Sequence, residues 1–242
     1  MANLQGGVQL YGQDMFTTST DQLHQLGARG YTSDGRRFRY AVVGATDTVA
    51  GSLYQSAAPV ANHLANTPPA VAVGAKSFSY TPGATAGAAN LYAEGYLQVD
   101  TTPGNGYMYQ VSGHAAISSS TAFTLYLTDA IQIALTTSSR VGLLANPFKN
   151  VIVAATTVTA PAIGVAPCVI TAAKYGWLQT WGPCAALING TPGVGIGVKS
   201  SATTAGAFDV AAVAAEIDVR ILGVMMQIGV SAKNNAVFLR MD

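Results

Sequence analysis

At 242 residues, with 12 Lys and Arg against 11 Asp and Glu, the chain has room for one large β domain or two smaller ones. Its net charge of +1 gives no electrostatic case for a nucleic-acid partner. Half of the residues are hydrophobic, yet neither long apolar stretch reads as a membrane span: 151–173 is broken by Pro161 and Pro167, and 208–230 carries Asp209, Glu216, Asp218 and Arg220.

Only 10% of the residues are charged. A surface that poor in charge suits the core of a permanent interface, so a subunit covered by other chains is expected. The plainer alternative is a secreted β protein with a Ser/Thr-rich surface. Met1-Ala-Asn-Leu-Gln5 lacks the basic start and apolar stretch of a signal peptide, so none is expected.

In chain order, residues 1–27 are polar and irregular, with one short helical turn expected over Asp21 to Leu26. Such a segment is either disordered or an arm lying on a neighbour. Leu10, Tyr11, Met15 and Phe16 supply apolar anchors and favour the arm. Deleting 1–27 is then expected to weaken attachment and leave the fold intact.

Residues 28–70 form a first β unit and linker, packing with the C-terminal unit. Arg37, Arg39 and Ala41 alternate with Phe38, Tyr40 and Val42, the period of a half-buried strand. Ser52 to Gln55 is a second short strand, and the prolines at 59, 68 and 69 mark 57–70 as a linker. Arg36, Arg37 and Arg39 are the densest basic cluster: either a solvated strand face or cations paired with an acidic surface of a partner.

Residues 71–150 form a middle β domain. A hairpin is expected around Thr102 to Gly106, between 95–100 and 106–112. Phe123, Leu125 and Leu127 alternate cleanly, and Asp129 to Leu135 is read as a further strand. Residues 151–242 form a barrel-like C-terminal domain. Val151 to Thr159 is extended, Ala211 to Glu216 suits a helical turn, and Ile221 to Val230 and Val237 to Met241 are closing strands joined through Lys233 to Asn235. Strands recurring every few residues between turn signals define an all-β fold of antiparallel barrel or sandwich units, with very little helix.

The chain is organised around Tyr175 to Thr191, which holds both tryptophans. Tyr175, Trp177, Gln179 and Trp181 share one strand face, and core packing is expected there, with sugar stacking as the alternative. Gly182-Pro183 is expected to end that strand, and Asn189-Gly190 is a tight turn.

No catalytic or metal-binding spacing is visible. His24, His63 and His114 lie far apart and are expected in turns or near the surface, His114 with a structural hydrogen bond. Cys168 and Cys184 make no disulfide framework; they can pair across neighbouring strands, but buried reduced thiols are expected. Gly193 to Gly197 lacks the following helix of a nucleotide loop and reads as a β turn. No cofactor, metal or enzymatic activity is expected.

Several pieces carry a resemblance: Leu26-Gly-Ala-Arg29, Asp34 to Tyr40, Gly95-Tyr-Leu97 with Gly106 to Tyr109, Ile133 to Ser138, Asn146-Pro147, Tyr175 to Pro183, Thr204-Ala-Gly206 and Val237-Phe-Leu239. In that order, over nearly the whole chain, they resemble a family of tailed-bacteriophage virion proteins described as capsid decoration, cement or structural proteins. The resemblance implies a protein made in the host cytoplasm and carried on the virion, bound to the outer surface of the head. It further implies a homo-oligomer, commonly a trimer at local three-fold points, that clamps neighbouring copies of the major capsid protein. The rivals are a carbohydrate- or receptor-binding module of head or tail, and a virion hydrolase with two converging acids.

Overall fold

The computed structural model describes residues 6–211 and 220–242. The protein is all-β, built from barrel- and sandwich-type sheets that are mostly antiparallel, with two short 3-10 turns as its helical content among the described residues. Two units divide it: Met1–Ala57 with Pro147–Asp242, and Ala58–Asn146. The strands run β1 (Gly7–Gln9), β2 (Arg29–Tyr31), β3 (Arg37–Val42) and β4 (Leu53–Gln55), all in the first unit. β5 (Ser77–Tyr80), β6 (Tyr96–Thr101), β7 (Met108–His114), β8 (Phe123–Leu127) and β9 (Arg140–Leu144) make the second. The first resumes with β10 (Ile152–Val153), β11 (Ala162–Val165), β12 (Tyr175–Ile188), β13 (Gly197–Ser200), β14 (Phe208–Val210), β15 (Gly223–Met225) and β16 (Lys233–Arg240).

The inserted unit is a five-stranded antiparallel sheet in the order β5-β8-β7-β6-β9. Strict alternation on β8 buries Phe123, Leu125 and Leu127 and leaves Thr124 and Tyr126 outside. The register sets Phe78 across from Leu125, and Leu97 between Tyr109 and Leu143. All five strands therefore feed one core, which requires the sheet to curl on itself as a barrel does.

Two sequence expectations change here. Residues 58–70 are part of this unit, because His63 is fully buried and Asn66 bridges to Val141. Residues 129–134 form no strand: Ile131 and Leu135 enter the core from an irregular segment, Leu135 exchanging two backbone bonds with Val71 and Ile131 donating to Ala75 and accepting from Gly74.

In the first unit, β12 is the common neighbour. Its first half pairs with β3, from Tyr175 opposite Val42 to Trp181 opposite Arg37, and its second half pairs with β16, from Trp181 opposite Arg240 to Ile188 opposite Lys233. Gly182-Pro183 does not end the strand. The register to β3 shifts between Gln179 and Trp181, and Gly182 takes the left-handed backbone (φ 87°) that glycine tolerates. Proline lacks the N–H that a central strand must otherwise place, so it suits this irregular point. The Gln179 side chain, buried at 3% exposure, donates to the carbonyls of Trp181 (3.1 Å) and Pro183 (2.7 Å), with a longer contact to Gly182.

The shift also separates the tryptophans. Trp177 packs with Leu10, Met15, Phe38 and Tyr40, whereas Trp181, at mid-strand, meets Phe238 of β16. Beyond the shift, Cys184, Ala186 and Ile188 enter a further cluster with Phe208, Val237 and Leu239.

The N-terminal segment is not a free arm over its described part. β1 pairs in parallel with β2, and Leu10, Met15 and Leu26 are buried in the cluster around Trp177. The 3-10 turn falls on Asp14–Phe16, while Asp21 to Leu26 forms no helix. The closing reversal lies at Ser231-Ala232, with Ala232 left-handed at φ 59°. Asn234 and Asn235 belong to β16. Asn235 clamps the turn from inside the strand, donating to Val230 O (3.0 Å) and accepting from Val230 N (3.2 Å). Of 151–159 only Ile152–Val153 is strand, and of 221–230 only Gly223–Met225. The helical turn expected over Ala211 to Glu216 falls largely on 212–219, outside the described residues.

Candidate functional site

β2 and β3 carry the densest cationic surface. Phe38 and Tyr40 turn inward onto Leu10 and Trp177, so Arg37 and Arg39 turn outward on the alternate positions. Gly30 faces the same core: a Cβ there would lie 2.8 Å from the Trp177 ring, which puts Arg29 and Tyr31 on the outer side with the arginines. The register sets Arg29 across from Arg39 and Tyr31 across from Arg37. Like charges directly opposite on a sheet repel.

That repulsion is answered by one carboxylate. Asp242, just past β16, accepts from both Nε (3.0 Å) and Nη2 of Arg39. Arg39 also donates to the Gly27 carbonyl at 2.9 Å. Arg37 lies with its guanidinium 5.3 Å from the Trp181 ring centroid, and Phe238 meets that indole edge-on at 5.6 Å. Arg240, across from Trp181, shares the outward side of β16 with Phe238, since Val237 and Leu239 point inward. A polar recess of about 310 Å³ lies among Gly7, Arg29, Gly30, Tyr31, Arg37 and Asp242.

The residues expected at an interface are thus dispersed. Leu10 and Met15 are committed to the chain's own core and cannot anchor to a neighbour; Tyr11 and Phe16 stay exposed, at 65% and 46%. Arg36 is set apart from Arg37 and Arg39 by its own ion pair with Asp34 at 2.8 Å. The Asp34 carboxyl is held below its ordinary value, by the Thr32 hydroxyl first and then by the N–H and guanidinium of Arg36.

Arg29, Tyr31, Arg240 and Asp242 were not foreseen. A three-residue strand is too short to show a period, and the last two arrive through pairing across some 200 positions of sequence. The only local signal was that Arg29 and Tyr31 sit two apart.

Other chemistry-bearing groups are occupied. In the inserted unit, His63 and His114 are buried around Tyr92 rather than set near the surface. His63 Nε2 donates to the Thr85 carbonyl (2.8 Å) and its Nδ1 receives the Tyr92 hydroxyl. His114 Nε2 accepts the Tyr92 backbone N–H (3.0 Å), and its Nδ1 donates to the Ala115 carbonyl (2.6 Å). Every ring nitrogen has a protein partner, which is the pattern of a structural latch.

Both cysteines are free thiols. Burial pushes the Cys184 thiol up to about 12 against a weaker downward pull from Arg36, and burial raises Cys168 as well, so neither is an activated nucleophile. A second cavity of about 380 Å³ lies in the first unit beside Gln55, Val158, Pro161, Lys199 and Leu222. The Gln55 amide at its wall is already used, accepting from Ala155 N–H (2.8 Å) and donating to Thr159 (2.7 Å). Among the described residues no group of His, Cys, Asp and Glu is placed to hold a metal, and no helix is long and apolar enough to cross a membrane.

The geometry defines an all-β protein with a cationic outer sheet face and exposed apolar side chains. No family model, curated protein or solved structure matches the chain.

Proposed function

We propose that this chain is a surface-binding structural subunit, and specifically a capsid decoration (cement) protein of a tailed bacteriophage. In this reading it oligomerises, most simply as a trimer, on the outer surface of the head and clamps neighbouring major capsid subunits. It makes and breaks no bonds, uses no cofactor, and contacts neither nucleic acid nor membrane. Packaged DNA pushes capsid subunits apart, and many bridging copies, each bound modestly, resist that together.

The observation that carries the reading is an apolar tip on the first unit. Gly195 N–H bonds to Met225 O (2.9 Å), Met225 N–H to Ile196 O (2.9 Å) and Gly229 N–H to Pro192 O (2.8 Å). These bonds bring 192–196 against 225–229 and set Val194, Ile196, Met226 and Ile228 side by side and exposed. No charged residue occurs in 191–198 or 221–232. Contiguous exposed apolar surface of this kind marks an association site.

The test is co-sedimentation with heads that lack the protein, alongside light scattering of the purified chain. Binding of wild type, its loss in Met226→Asp/Ile228→Asp, and an oligomer in solution are expected. A monomer that stays in the supernatant with intact heads overturns the proposal.

A carbohydrate- or receptor-binding role is favoured by a different feature, the outer face of the inserted sheet. Tyr126 is 51% exposed there, among the neutral hydrogen-bonding side chains Ser77, Ser79, Thr124 and Gln98. The tryptophans do not serve that reading: Trp177 is 4% exposed, and Arg37 lies against the Trp181 ring. Titration with neutral oligosaccharides, read by the NMR signals of Tyr126, decides it; unmoved signals exclude this face.

A further inference from the structure

We infer that the outward face of β2, β3, β12 and β16 is a docking surface for an acidic segment of a partner protein, with Arg29, Arg37 and Arg240 as the receiving groups. The inference rests on the proposed function only in taking a protein as the partner.

Charge is the first ground. The chain as a whole is nearly neutral, at +1. This face nonetheless gathers Arg29, Arg37, Arg39 and Arg240 through the pairings Arg29–Arg39, Arg37–Trp181 and Trp181–Arg240. The ion pairs here are Arg36–Asp34 and Arg39–Asp242, so among the described residues Arg29, Arg37 and Arg240 have no carboxylate. Setting cations opposite one another on paired strands opposes folding, and the arrangement is relieved by a second anion.

The second ground is that the chain already displays the ligand chemistry. Asp242 at the rim of the recess presents one carboxylate oxygen to two donors of Arg39. The guanidinium fork matches a carboxylate and is weakly hydrated, so the same match is open to Arg29 and Arg37 across about 310 Å³ of polar recess. Bases of a nucleic acid suit the face less well. Binding a single strand uses free aromatic faces as stacking platforms. Here Arg37 lies against Trp181, Phe238 meets its edge, and the Tyr31 ring lies against Gly7 at 3.2 Å from where a Cβ would stand. An extended Asp- or Glu-rich strand or loop therefore fits best.

The experiment uses the full chain and two probes: a fluorescein-labelled hexaglutamate peptide and a labelled six-nucleotide oligothymidylate. Anisotropy is read at low and at physiological salt, with tryptophan emission recorded in parallel. Hexaglutamate is expected to bind at low salt, to weaken at least tenfold as salt rises, and to shift Trp181 emission as Arg37 turns to the ligand. Arg29→Gln/Arg240→Gln is expected to weaken it at least fivefold with no fall in the melting temperature, since among the described residues neither side chain has an ion pair to lose. Adding Arg37→Gln should abolish binding, and Arg36→Gln should leave it unchanged.

Absent binding by wild type, equal binding by Arg29→Gln/Arg240→Gln, or tighter binding of the oligothymidylate each overturns the inference. The two proposals fail separately. A chain that joins phage heads but ignores hexaglutamate loses the docking surface alone, and one that binds hexaglutamate but ignores heads loses the capsid reading alone.

Discussion

Replacing Gln179 tests the point on which the first unit turns. Its amide donates to the Trp181 and Pro183 carbonyls where β12 exchanges β3 for β16, and it is 3% exposed. Gln179→Met keeps the length and removes both donors. Both bonds are part-buried, and losing each costs about 0.5–1.5 kcal/mol, so a loss of about 1–3 kcal/mol is expected. For a unit of this size each kcal/mol moves the midpoint by about 2–4 °C, giving a fall of roughly 2–12 °C.

Gln179→Glu sharpens the test through its sign. At neutral pH a carboxylate faces carbonyl oxygens without a donor, so this variant should be the less stable of the two. Burial without a donor raises the folded-state pKa of the new acid above its unfolded value. Its stability is then fullest in acid, where an O–H can donate, and is lost as pH rises through the folded value. Urea titrations of the three proteins between about pH 4 and 8 measure both effects. Gln179→Met within about 0.5 kcal/mol of wild type, or Gln179→Glu tracking Gln179→Met at every pH, would refute the idea that this amide holds the strand together across the shift.

Leu10→Ala should cost about 2–5 kcal/mol, because Leu10 is buried against Trp177; a neutral result in urea unfolding would return the N-terminal segment to the status of an arm. The rise of the Cys184 thiol from 9.0 to about 12 amounts to about 4 kcal/mol of stability, fully present below pH 9 and lost as pH climbs toward 12. Wild type should therefore weaken between pH 9 and 10 more steeply than Cys184→Ala, and parallel curves would sink that claim. Tyr92→Phe withdraws the hydroxyl from His63 Nδ1 and leaves a buried acceptor bare, at about 1–3 kcal/mol. Hydrogen exchange of the β6 and β7 amides should quicken accordingly; unchanged protection would mean the latch carries no energy.

Local patterning went far on this chain. Phe38-Arg39-Tyr40 and Phe123 to Leu127 announced their strands because burying one sheet face imposes a period of two, and Thr102 to Gly106 announced its hairpin through turn chemistry. It failed where a side chain did the work of backbone. Gly182-Pro183 reads as a stop, yet Gln179 supplies the missing bonds; Asn234-Asn235 reads as a turn, yet Asn235 is a clamp within β16. The prolines of 57–70 read as a linker, while His63 and Asn66 lock that segment into the inserted unit.

From residues alone came the all-β class, the strands with a clean alternation, the neutral overall charge and the cation-rich stretch at 36–39. Tertiary pairing decided which cations stand together: β3, β12 and β16 bring Arg37, Trp181 and Arg240 into one row, and β2 adds Arg29. The reason is that alternation reports only which face of a strand is wet. Which strand lies next to it depends on contacts between residues far apart in sequence, and no local window of the chain contains them.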